Sequence, residues 1–216
     1  MGCDIHIHVE YKKQIYIGRD KNNEPQYEEK WLCGDSFYLN PHFGKFKNEE
    51  KYTRIDFCGD RNYSRFATLA NVRNYGDTPY IDNPRGLPED VTYEVKKECD
   101  EWDIDGHSHS FFTLKELIDY QKNIKPLRHR GMISPEAQKK LDENGTPPDM
   151  WCQWTSQTGW ERREWETENN VLVPLIEALK QKADELYVIS HWMWENDFEK
   201  ACERANNIRI VFWFDN

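Results

Sequence analysis

The sequence predicts a single α+β domain spanning 1–216, with a mixed or antiparallel central sheet flanked by helices, and three observations carry that expectation. The opening segment Cys3 to Glu10 alternates strictly between apolar and polar residues, the period-two signature of a strand. The closing segment Ile208 to Phe214 alternates too, so the first and last strands can pair in one sheet. Between them, Val173, Ile176, Leu179, Ala183 and Leu186 recur at helical spacing. A chain of 216 residues is long enough to bury one substantial core.

The remaining elements follow in order. Gln14 to Ile17 reads as a second strand and hairpin partner of the first, followed by a polar turn from Asp20 to Pro25 and a third strand from Tyr27 to Cys33. Gly34 to Glu50 is polar and aromatic and contains Pro41 and Gly44, which predicts a long surface loop. A helix is expected from Tyr63 to Arg73, capped by Asp60 or Asn62. Pro79, Pro84 and Pro88 fix an irregular segment, and a short helix follows near Asp90 to Trp102. Thr113-Leu114-Lys115-Glu116 is a capping-box pattern that opens a helix to Gln121 and places His107 and His109 in the turn before it. Ser134-Pro135 starts a helix that ends at Asn144-Gly145. Asp149 to Glu166 suggests a strand pair, and Asn170 to Leu186 a long amphipathic helix. Tyr187 to Trp194 is ambiguous between strand and helix, and a helix near Asp197 to Ala205 leads into the final strand.

Composition narrows the function classes. A net charge of −10 argues against broad nucleic-acid binding, because affinity for phosphate backbones comes from Lys and Arg. A small phosphorylated ligand held by a few local cations remains compatible. Aromatics make up 14% of the chain, with nine Trp, and flat rings suit bases and sugars. The six cysteines form no C-x-x-C pair, and with no secretory signal the sequence fits a reducing cytoplasm. No apolar run is long enough to span a bilayer, and the Met1-Gly2 start lacks the Ser or Thr of a myristoylation site, so no membrane role is expected.

Four of the seven histidines form two His-x-His pairs. By strand parity Asp4, His6, His8 and Glu10 share one face of the first strand, and Cys3, Ile5, Ile7 and Val9 the other. That polar face is either a ligand set or the solvent face of an edge strand. Imidazole with carboxylate is a ligand set for zinc, manganese or iron. Asp4, His6, His107 and His109 are the candidate ligands of a divalent metal, with Glu10 and Asp105 as candidate catalytic carboxylates that orient a ligand or act as base. His6 and His109 are then expected to approach a common site. The competing expectation for Asp105 to Ser110 is local helix capping. Arg61, Asn62, Tyr63, Arg73 and Arg85 are candidate ligand-binding residues, and Pro84 and Pro88 pre-organise Arg85 as a phosphate fork. Asp60 with Arg61 or Arg73 is equally readable as a structural ion pair, and Lys125, Arg128, His129 and Arg130 as a solvated basic face.

The pattern Asp4-Ile5-His6-x-His8 resembles the His-x-His strand of amidohydrolase and histidinol-phosphatase-like metal hydrolases, as an analogy of chemistry rather than of fold. Over the whole chain, several segments together resemble a family of proteins encoded by tailed bacteriophages and some bacteria. They are Met1-Gly2-Cys3-Asp4-Ile5-His6, Asp60-Arg61-Asn62-Tyr63, Pro84-Arg85-Gly86-Leu87-Pro88, Asp105-Gly106-His107-Ser108-His109-Ser110 and Arg209 to Asn216. The resemblance brings no biochemical activity with it and asks for His6 more firmly than for His8. It implies a phage gene acting in the host cytoplasm, which suits a counter to nucleotide-based host immune signalling. The leading expectation is binding and metal-dependent hydrolysis of a phosphorylated nucleotide-like molecule. The alternatives are sequestration of such a ligand without turnover, and blocking of a host protein through an acidic, Trp-containing surface.

Overall fold

The computed structural model describes residues 2–45, 50–75 and 77–215. Met1 of the opening segment, residues 46–49 of the expected loop and Asn216 of the closing segment lie outside the described residues. The first strand, β1 (Ile5–Arg19), runs through both segments that the sequence suggested as separate strands. Tyr11-Lys12-Lys13 offers no turn residue, so the hairpin forms later. Its turn is closed by Asp20, whose Oδ1 accepts from the N–H groups of Asn22 and Glu24 at 2.8 and 2.9 Å, and by Asn23 at φ 68°. The partner is β2 (Pro25–Cys33), and a bulge lies between Tyr16 and Gly18.

The expected loop contains a second hairpin, β3 (Phe37–Leu39) with β4 (Tyr52–Arg54). Helix α1 (Tyr63–Ala70) is capped by the Asn62 side chain and stops three residues early, because Asn71 adopts the left-handed conformation and its N–H closes on Ala67 and Phe66 carbonyls. The proline segment is irregular as expected, and α2 (Tyr93–Trp102) follows. The second His pair lies on strand β5 (His107–Thr113), not in a turn. Helix α3 (Leu114–Lys122) opens with the expected capping box of Thr113 and Glu116.

Strand β6 (Leu127–Ile133) takes the place of the expected solvated basic segment. It pairs with β7 (Glu161–Thr167), so the strand pair suggested within 149–166 has its second strand elsewhere. Helices α4 (Pro135–Asn144), with Ser134 and Gly145 as caps, and α5 (Val173–Glu185) fall where expected. The ambiguous run resolves into α6 (His191–Asn196), and α7 (Phe198–Arg204) leads into β8 (Ile208–Phe214).

The main sheet has the order β2-β1-β8-β5 and is antiparallel throughout, with β1 and β8 paired from Ile5↔Phe214 to Tyr11↔Ile208. Its larger core packs Ile5, Ile7, Val9, Phe212 and Phe214 against Phe66 and Leu69 of α1, Leu117 of α3 and Leu175 and Leu179 of α5. Each fully buried side chain of this size contributes about 1.5–3 kcal/mol. The other face is covered too, since Val95 and Cys99 of α2 pack on Val211 and Trp213. β1 is therefore a central strand and its polar face an interior one, which overturns the edge-strand alternative.

Candidate functional site: a buried polar strand face and an aromatic cleft

On the strand face, Glu10 is fully buried and receives Arg209 Nε at 2.7 Å and the Thr92 N–H at 2.7 Å. Arg209 stands opposite Glu10 across the β1–β8 ladder, donates to Asp90 and lies 3.9 Å from the centroid of Trp31. Its hydrogen bond holds the Asp90 carboxyl below the usual range although partial burial works the other way. This network joins β1, β8 and the start of α2, and it occupies both oxygens of Glu10.

His8 is equally buried. Its Nδ1 lies 2.6 Å from Asp35 Oδ2, while Asp35 Oδ1 accepts from the Val9 N–H at 2.8 Å. The imidazole stacks on Trp213 at 4.8 Å, and Nε2 lies 3.6 Å from Glu98, which is held by Arg54. His6 sits between Trp102 at 4.1 Å and Trp213 at 5.8 Å, with Nε2 3.2 Å from Asp215. Asp4 is bound through both oxygens by Arg61 at 2.7 and 2.6 Å, which lowers its pKa.

The second pair is split by a bulge in β5 with Ser108 at φ 54°. His107 contacts Phe214 at 6.0 Å and Ser108 Oγ at 3.0 Å, whereas His109 contacts Trp213, also at 6.0 Å. Phe214 and Trp213 point to opposite sheet faces, so the two imidazoles do not converge. Burial, with His107 nearby, lowers the pKa of His109. His6 and His109 thus share one neighbour, the Trp213 indole. Asp105 is exposed, its backbone N–H closes a turn on the Trp102 carbonyl, and its side chain has no partner among the described residues. Among the described residues, no group of three or more His, Cys, Asp or Glu side chains is arranged to hold a metal ion.

The arginine group also divides. Arg61 is committed to Asp4 and Asn62 to capping α1. Arg85 bridges Asp82 at 3.0 Å and Glu116 at 2.7 Å, donates to the Phe111 carbonyl and lies 4.5 Å from the Phe112 ring centroid, so it braces the proline segment against β5 and α3. Tyr63 and Arg73 instead line a cleft of about 920 Å³ between α1 with the loop after it and the β6–β7 ribbon. Arg73 and Asp77 in that loop have φ of 53° and 50°, uncommon for residues other than glycine. Arg73 Nη1 donates to the Tyr75 hydroxyl at 3.3 Å.

The opposite wall is aromatic. His129 stacks on Trp165 at 5.5 Å and 13°, and Trp151 meets Trp165 edge-on at 5.7 Å. Gly131 makes this packing possible, since a Cβ there would lie 2.5 Å from the Trp151 ring. Arg128 and Arg130 alternate with His129 along β6 and pair with Glu166 and Glu164 across the ladder, and these four charged residues also border the cleft. The sequence reading missed His129, Trp151 and Trp165. The alternation Leu127, His129, Gly131, Ile133 was the available signal, hidden by the intervening arginines. No protein-family model matches the chain, and no curated protein or solved structure matches it.

Proposed function

We propose that the chain binds a small ligand combining a flat ring with an anionic group, of nucleoside-monophosphate type, in the cleft between α1 and the β6–β7 ribbon. The observation that carries this reading is the facing arrangement of Tyr63, Tyr75 and Arg73 on one wall and His129, Trp151 and Trp165 on the other. Aromatic faces stack on any base, at about 1–3 kcal/mol per base. Arg73 supplies a planar fork for phosphate, and the strained backbone that presents it fits a positioned binding group. The volume lies within the range of roughly 300–1,000 Å³ of small-molecule pockets. The proposal is one of binding, and turnover is read separately in the same experiment.

The test is quenching of tryptophan fluorescence by adenosine, guanosine, cytidine and uridine monophosphates, with the mixtures analysed for products in the presence and absence of Zn²⁺ or Mn²⁺. Saturable quenching that weakens in Arg73→Lys supports the reading. Absence of saturable quenching by all four at millimolar concentration contradicts it.

A further inference from the structure

The β3–β4 hairpin projects a set of large apolar side chains that remain exposed among the described residues. Leu39 is 60% exposed, and Phe37, Phe43, Tyr52 and Ile55 are each exposed over about half of their surface. A two-stranded hairpin is marginal by itself in water, and a contiguous apolar patch marks a contact surface. The hairpin is anchored by Arg54, which donates to the Ile7 carbonyl at 3.1 Å and to both carboxylate oxygens of Glu98 on α2. It therefore stands beside α2 on the same side of the molecule.

The two neighbours carry opposite charge. Residues 89–105 contain eight carboxylates against two lysines. Glu89, Glu94, Asp103 and Asp105 are exposed and have no cationic partner among the described residues, and Tyr93 and Ile104 stand among them at 77% and 89% exposure. On the hairpin, Lys45 and Lys51 are exposed with no acidic partner among the described residues and outnumber the exposed Glu50 between them, and Lys51 lies over the Tyr52 ring at 5.3 Å. An apolar basic patch next to an apolar acidic patch is self-complementary about a two-fold axis.

We infer that this face is an interface between two copies of the chain, in which the hairpin of each copy docks on the α2 surface of the other. Apolar contact between Leu39 or Tyr52 and Tyr93 or Ile104 forms its centre, and the lysines and unpaired carboxylates form its rim. The rim charges set the pairing direction and make association sensitive to salt.

Sedimentation equilibrium of the full chain over a range of protein and salt concentrations tests this. A dimer whose dissociation constant rises with salt is expected. Leu39→Ser is expected to weaken it by about tenfold or more, as for loss of an apolar anchor, with an unchanged melting curve. Lys51→Glu and Glu94→Lys each weaken the dimer, and the double variant Lys51→Glu/Glu94→Lys is expected to associate more tightly than either single one. That charge exchange does not depend on how Leu39→Ser folds. A monomer at every concentration overturns the inference. So does a dimer indifferent to all three substitutions, or a protein that stays monomeric while the patch binds anionic vesicles or a single-stranded oligonucleotide.

Discussion

Around Trp213 the imidazoles of His6, His8 and His109 pack on an indole with no exposed surface, whereas around Trp151 and Trp165 the His129 ring borders a cleft open to ligand. Both regions are built from histidine, tryptophan, arginine and carboxylate, and their difference is coverage. On the strand face α2 closes the layer, and the charged groups there are paired internally, Glu10 by Arg209 and Thr92, His8 by Asp35 and His6 by Asp215, while His8 Nε2, Thr92 Oγ1 and Trp213 Nε1 are buried with no hydrogen-bond partner among the described residues. A buried charge without a partner is too costly to keep. Among the described residues no second layer covers the cleft, and Tyr63, Tyr75 and Trp151 keep exposed surface there. Residue type alone therefore does not identify a site; whether another element covers it does.

The largest consequence concerns Glu10. Glu10→Ala leaves Arg209 buried with Asp90 as its remaining carboxylate, and should destabilise the protein by about 3–5 kcal/mol, the usual effect of halving a buried ion pair. Denaturant unfolding measures this, and nucleotide affinity of the folded fraction should be unchanged. A loss of stability below about 1 kcal/mol, a value typical of an exposed pair, would mean that the strand face is not the interior network described.

In the cleft the expectation reverses. Tyr75 is 79% exposed, so Tyr75→Ala should leave the melting temperature unchanged. If Tyr75 stacks on the ligand, affinity falls by about 1–3 kcal/mol, read by titration calorimetry with the monophosphate that quenches best. Arg85 lies between the two regions in character. Because it braces Asp82, Glu116 and Phe112, Arg85→Lys should cost about 0.5–1.5 kcal/mol of stability, the net worth of a typical hydrogen bond, with no change in affinity. Weakened affinity with an unchanged melting curve would restore it to the binding group.

The smallest effect is one of pH. Burial lowers the pKa of His109 in the folded chain, so the unfolded chain binds more protons once the pH falls below the ordinary histidine value of about 6.5. The stability contributed by neutral His109 is thus present at neutral pH and declines as pH drops through that value toward the folded pKa. In His109→Gln this part of the acid-side slope should disappear from unfolding curves collected across the window. An unaltered slope would place the proton uptake on another group.

Much of the fold was legible because it rests on local signals. The alternation of Ile5, Ile7 and Val9, the caps Asn62, Thr113, Ser134 and Gly145, and the apolar stripe of α5 each act within a few residues. The misread parts depend on distant partners. The same period-two pattern describes a solvated strand and one covered by α2, so it could not announce that His8 and Glu10 are buried. Leu127 to Ile133 reads as a charged loop until Glu161 to Thr167 supplies opposite charges across the ladder. The bulge at Ser108, which separates His107 from His109, left no glycine to mark it. Of the candidate ligand residues only Tyr63 and Arg73 line the cleft, because its other wall comes from the misread ribbon.

The central claim, that ligand enters the aromatic cleft rather than the polar strand face, is tested most directly by the indole N–H resonances in proton–nitrogen correlation spectra, assigned with single Trp→Phe variants. Titration with a nucleoside monophosphate should shift the Trp151 and Trp165 signals in a saturable way while those of Trp102 and Trp213 stay in place. Saturable shifts of Trp102 and Trp213, with Trp151 and Trp165 unmoved, would contradict the account and return the site to the histidines of the strand face.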